Sequence, residues 1–78
     1  MQIIYTYHAQ RRMIQRGVSP ELVKETLEFP DEVLAGDVRE GIAVKRYGNR
    51  EVRVVYEEVG ADKIIVYTVM RPLVRDRD

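Results

Sequence analysis

The chain has no cysteine, no tryptophan, a single histidine and no net charge across its 78 residues. Without cysteine there is neither a disulfide framework nor a thiolate metal site, and one histidine leaves no transition-metal cluster, so no metal or other cofactor is expected. The apolar runs are short and broken by charges. Neither a secretory leader nor a membrane span is therefore expected, and the cytoplasm is the expected compartment. Zero net charge excludes a generic polycation that coats nucleic acid. The length suits one domain, residues 1 to 72, with a charged tail at 73–78; a chain of this size buries about 60% of its unfolded surface in one modest core.

What the chain does have is segregated charge. Residues 1 to 20 hold three arginines and no acid, residues 21 to 40 hold seven acids against two bases, and residues 41 to 56 hold four bases against one acid. Two positive segments flanking a negative one can meet as a basic patch for a phosphate ligand, or can be neutralised internally by the acidic segment. Within the first segment, His8, Arg12 and Arg16 stand at i, i+4 and i+8 and form one stripe of a helix, with Ala9, Met13 and Gly17, flanked by Tyr7 and Ile14, on the side away from it and expected to face a core. A titratable imidazole beside two permanent cations is a constellation for phosphate binding or phosphate chemistry. A plainer reading of the same spacing makes His8 a half-buried packing residue and the arginines a solvated face.

Capping signals delimit two helices. Thr6 is an N-cap for a helix over Tyr7 to Arg16, and Gly17 ends it in the left-handed conformation. Ser19 caps a second helix with Pro20 at its first position and Glu21 at the positive end of its dipole, running to about Glu28 before Phe29-Pro30. Beyond Pro30 the period falls from 3.6 to 2, which predicts strands at Glu32 to Ala35, Ile42 to Tyr47, Glu51 to Glu58 and Lys63 to Met70. The expected fold is α+β, with two N-terminal helices followed by a four-stranded antiparallel sheet; Gln2 to Tyr5 offers an extra edge strand. Ala9, Met13, Leu22, Val23, Leu27, Val44, Val52, Val54, Ile64 and Val66 are the expected core. Alternation assigns Ile42, Val44, Val52, Val54, Tyr56, Ile64 and Val66 to the helix side of the sheet, and Ala43, Lys45, Tyr47, Arg53, Val55, Ile65 and Tyr67 to the other. The second set mixes cations with rings, as a single-stranded RNA platform does and as many ordinary exposed sheet faces do.

The run His8-Ala9-x-x-Arg12-Met13-x-x-Arg16-Gly17-Val18 resembles the start of a family of small prokaryotic proteins, domain-of-unknown-function family 4258. Phe29-Pro30-Asp31-Glu32-Val33, Val52-Arg53-Val54-Val55-Tyr56 and Ile65-Val66-Tyr67-Thr68-Val69 resemble its later elements, so the likeness spans about Ile4 to Val69. The resemblance implies membership of a superfamily of ribonuclease-type folds that groups barnase-like, colicin-type and RelE-like toxins. From it follows the expectation of a metal-independent ribonuclease toxin, acting on RNA at or away from the ribosome and held in check by an antitoxin protein.

Of the expected site residues, His8, Arg12, Arg16 and Thr68 match the family's polar pattern and form the expected catalytic set. Lys45, Arg46, Arg53 and Tyr67 are added from charge and strand position as RNA-binding residues. Metal-free RNA cleavage needs a base, an acid and cations for the developing charge. His8 is the one imidazole, the side chain that titrates near neutrality, and arginine only binds and stabilises phosphate. A second proton-transfer group would have to be Lys45, a tyrosine or a carboxylate. Without it the chain is a non-catalytic RNA-binding module, and if the arginine stripe meets an acidic protein instead, an interaction domain. Open sheet edges offer a route to a homodimer or to the antitoxin.

Overall fold

The computed structural model describes residues 1–72, and the expected charged tail lies outside the described residues. Strand β1 (Gln2–Tyr5) leads into helices α1 (Tyr7–Arg16) and α2 (Pro20–Glu28), followed by β2 (Glu32–Ala35), β3 (Gly41–Tyr47), β4 (Arg50–Gly60) and β5 (Lys63–Met70). No helix is long and apolar enough to cross a membrane.

The helices begin and end where the capping residues put them. The Thr6 hydroxyl accepts from the Ala9 N–H and the Ser19 hydroxyl from the Leu22 N–H. At the end of α1, Gly17 sits at φ 66°. Its N–H donates to the Ile14 carbonyl and the Val18 N–H to the Met13 carbonyl. That pair of bonds is a Schellman motif, and its apolar contact is Val18 with Met13, both in the core. Val18 thereby joins the core, which the periodicity of α1 and α2 leaves unassigned because it falls between them.

The sheet is not the expected four-stranded antiparallel one. It has five strands in the order β1-β5-β4-β3-β2, and β1 runs parallel to β5, with Gln2 opposite Lys63 and Tyr5 opposite Val66. Hairpins join β2 through β5. The chain instead passes from β1 over the helix side and re-enters at the opposite edge, so alternation within the segments carries no sign of the β1 pairing or its direction. β1 covers only the first half of β5. Thr6 then donates its hydroxyl to the Tyr67 carbonyl, and α1 runs on along the second half of β5 until Gly17 lies beside Arg71.

One strand presents the opposite face from that expected. Residues directly opposed in a ladder share a face, and Ala43 opposes Val54 while Lys45 opposes Val52. Ala43, Lys45 and Tyr47 therefore lie on the helix side, and Ile42, Val44 and Arg46 on the outer side. A one-residue slip inverts every side chain, and Ile42-Ala43-Val44, apolar at three successive positions, does not reveal the parity. The Gly48-Asn49 turn fixes it by pairing Tyr47 with Arg50. Val44 is still fully buried, but between Glu32 and Arg53 on the outer face and outside the main core. The core consists of Ala9, Met13, Val18, Val23, Ala43, Val52, Val54, Ile64, Val66 and Val69, with Ile3, Tyr5, Leu22, Leu27 and Tyr56 packed against it half-buried.

A Cβ at position 17 would force a left-handed residue with a side chain, so Gly17→Ala should lower stability by roughly 1–2 kcal/mol. Urea denaturation checks this, with an unchanged slope expected because the exposed surface is the same.

Candidate functional site

α1 buries Ala9 and Met13 against β5, which turns its polar stripe to solvent. On that stripe Arg12 Nε donates to His8 Nε2 at 3.3 Å, and Arg12 Nη1 donates to Gln15 Oε1 at 3.0 Å. His8, Arg11, Arg12 and Gln15 line an open crevice of about 150 Å³. The imidazole Nε2 is the acceptor in this contact.

Arg16 lies further along the helix, in a second crevice. This one, about 350 Å³, is lined by Gln15, Arg16, Arg50 and Arg71. Three separate elements build it: the last turn of α1, the first residue of β4 and the residue after β5. Arg71 Nη1 donates to the carbonyls of Arg16 and Gly17 at 3.3 Å each, satisfying acceptors that the end of a helix leaves open and opposing its negative pole. Arg50 Nη1 in turn donates to the Arg71 carbonyl at 3.3 Å, and the Glu51 N–H to the Pro72 carbonyl at 3.2 Å. A guanidinium has five N–H donors. With Nη1 of Arg71 engaged by carbonyls, its Nη2 and Nε make no hydrogen bond among the described residues, nor do those of Arg50. Among the described residues, no carboxylate lies within ion-pair distance of Arg12, Arg16, Arg50 or Arg71. Gln15 borders both crevices, so the two form one continuous cationic surface.

The other expected residues lie elsewhere, and neither crevice is lined by Lys45, Arg46 or Arg53. Lys45 Nζ donates to the Phe29 carbonyl at 3.0 Å, behind the end of α2. Arg46 pairs with Glu32 at 2.7 Å and with Glu51 at 3.5 Å, and the hydrogen bond to Glu32, ahead of any other influence, holds its guanidinium above its ordinary value. Arg53 is bonded to the other oxygen of Glu51. Glu51 is nearly buried, so this outer-face group is an internally neutralised network of two arginines and two glutamates.

Thr68 opposes Val55 on the outer face, past an irregularity between Val55 and Tyr56 that lets Tyr67 and Thr68 face the same way. The Tyr67 hydroxyl donates to Glu57 Oε1 at 2.7 Å, and that bond, then burial, raises its pKa. A neighbouring loop arches over this face, where the Glu40 carboxylate accepts from the N–H groups of Asp37, Val38 and Arg39. The backbone N–H of Glu40 itself, and then those donors, hold Glu40 below the usual carboxylate range. The outer face therefore presents carboxylates beside Tyr67, which repel a phosphate chain, and Tyr47, the other expected ring, lies on the helix side. Among the described residues no cluster of histidine and acids is arranged to hold a metal ion.

Arg50 and Arg71, with Arg11 of α1, are the members of the cationic surface that sequence reasoning missed. For Arg50 and Arg71 the signal was present in the topology. β4 begins and β5 ends at the same edge of adjacent antiparallel strands, so an arginine just after the Gly48-Asn49 turn and another just before Pro72 must meet. The family model described as Domain of unknown function (DUF4258) matches residues 5–71. No curated protein and no solved structure shows a significant match.

If Arg71 fastens β5 to α1 through the two carbonyls, Arg71→Ala should cost about 1 kcal/mol and Arg71→Lys somewhat less, since an ammonium keeps the charge but not the fork. Amide exchange at Gly17 and Val18 should quicken in Arg71→Ala, which hydrogen-exchange NMR would detect. Unchanged protection there would remove the fastening role.

Proposed function

The chain belongs to the DUF4258 family, and from that premise and its arginine-lined surface we propose that it binds the phosphate backbone of RNA. The family's description assigns no activity, so the reading rests on the surface itself. One observation carries it: Arg12, Arg16, Arg50 and Arg71 border a continuous open surface that no carboxylate lines among the described residues. Arg46 and Arg53 are bound to carboxylates, whereas these four arginines have none within ion-pair distance among the described residues. Arginines held apart from acids present their planar forks to an incoming oxyanion. α1 turns its negative end toward the larger crevice, so side chains and not backbone N–H groups must hold the anion.

Metal-independent RNA cleavage is the second reading, the one that a barnase-, colicin- or RelE-like relationship implies, with an antitoxin as the partner. The His8–Arg12 contact favours it, because an imidazole beside cations has the form of a proton-transfer group at a phosphate site. Against it, among the described residues neither crevice is lined by a carboxylate, lysine or tyrosine that would serve as the second group. Binding is therefore the function the surface supports best.

An RNA strand should bind the wild type with an affinity that falls steeply as salt rises. Arg16→Ala and Arg50→Ala should each weaken it and lower the logarithmic salt slope by about 1, while Lys45→Ala leaves it unchanged. Fluorescence anisotropy across a salt series checks this. Binding that is absent at low salt, or insensitive to both arginine variants, would sink the proposal. Incubation of the bound strand in EDTA separates the second reading: cleavage lost in His8→Ala supports it, and an intact strand rejects it.

A further inference from the structure

α1 carries a second exposed stripe beside the cationic one. Tyr7 and Ile14 stand seven residues apart, two turns along the helix, with Arg11 between them, and their relative exposures are 75% and 82%. The Arg11 guanidinium carbon sits 5.8 Å from the centre of the Tyr7 ring. The adjoining stripe, about 100° round the helix, is His8, Arg12 and Gln15. A single exposed apolar side chain needs no account. Here a phenol ring and a branched aliphatic group lie parallel to a row of phosphate-binding donors, which is the pairing of ring face and cation that holds an unstacked nucleotide.

The most exposed of the other apolar groups among the described residues have acids close by. Phe29 and Val33 adjoin Glu28, Asp31 and Glu32 in sequence, and Val38 borders a crevice with Glu40 and Glu57. Charge favours the α1 stripe for a polyanion; Tyr47, with Lys45 Nζ 6.0 Å from its ring, is less exposed and has Glu25 and Asp31 acting on it. Spacing selects the form of that polyanion. Arg12 and Arg16 are one turn apart, about 6 Å along the axis, and belong to different crevices. A lone phosphate fills one of them, whereas successive phosphates of a strand reach both.

We infer that the ligand is a single-stranded nucleic acid laid along α1, with a base stacked on the Tyr7 ring and its successive phosphates held first at His8 and Arg12 and then in the Arg16, Arg50 and Arg71 crevice. The inference rests on the phosphate-binding reading above and goes beyond it in requiring an accessible base face. A duplex hides its base faces within the stack and cannot offer one to a helix surface.

Anisotropy titrations of the full chain with a short single-stranded oligoribonucleotide, the same strand annealed to its complement, an abasic strand of equal length and inorganic polyphosphate test the inference. The wild type should prefer the single strand to the duplex and to the abasic strand. Tyr7→Ala should weaken single-strand binding on the order of tenfold. Tyr7→Phe, which keeps the ring, should restore it, and polyphosphate binding should not change in either variant. Circular dichroism melting confirms that Tyr7→Ala folds, as its exposure predicts. Equal single-strand affinity in wild type and Tyr7→Ala, or equal losses for RNA and polyphosphate, would overturn base stacking while leaving phosphate binding in place. A wild type that binds neither RNA nor polyphosphate would overturn both. Sedimentation of the free chain covers the remaining occupant: a dimer that Tyr7→Ala dissolves assigns the stripe to a second copy and overturns the inference.

Discussion

Arg71 closes the domain at the end that matters. Its guanidinium spans from the end of β5 to the last carbonyls of α1, and its own carbonyl receives Arg50 from the start of β4. Each bond is long and exposed and weak alone. Together they hold three elements from distant parts of the sequence around one crevice. The apolar part of the same joint is the Met13–Val18 contact of the helix cap, backed by Val69 and Val66 in the core. Packing fixes which side of α1 is turned inward, and the polar stripe is exposed as a consequence. The candidate surface is thus a by-product of core formation sharpened by one positioning arginine.

Two charge regimes follow from that arrangement. On the outer face of the sheet, cations and acids are interleaved in register: Arg46 and Arg53 meet Glu32 and Glu51, and Tyr67 meets Glu57. Exposed pairs of this kind contribute little stability each, but they leave no field for a polyanion. β4 itself supplies Glu51 and Glu57 to this balance, and the acidic stretch after residue 20 contributes Glu32. It does not reach the arginines of α1. Cationic character therefore collects where the acids are absent in sequence and also distant in space.

The helices were legible in the sequence because their ends are chemically marked, by Thr6, Ser19, Pro20 and Gly17. The strands of the β2–β5 meander were legible from Gly-centred turns and alternation, and eight of the expected core positions are buried, with Leu22 and Leu27 packed at its margin. Three features were not legible. The β1 pairing joins segments about sixty residues apart and leaves no local pattern. The facing of β3 depends on a parity that three consecutive apolar residues obscure. Arg50 and Arg71 acquire meaning only once adjacent strand ends are superposed, so a search along one helix finds His8, Arg12 and Arg16 and stops there. Conversely, Lys45, Arg46 and Arg53 were attractive by charge alone, and the tertiary structure supplies each with an acceptor.

The most direct test of the account is a map of where a single strand touches the isotope-labelled protein. Titration with a short oligoribonucleotide, followed by NMR chemical-shift changes, should perturb backbone and side-chain signals of residues 7 to 17 together with Arg50 and Arg71, and leave Arg46, Arg53, Tyr67 and Thr68 unmoved. Changes centred on Arg53, Tyr67 and Thr68 would put the ligand on the outer face of the sheet and contradict the account.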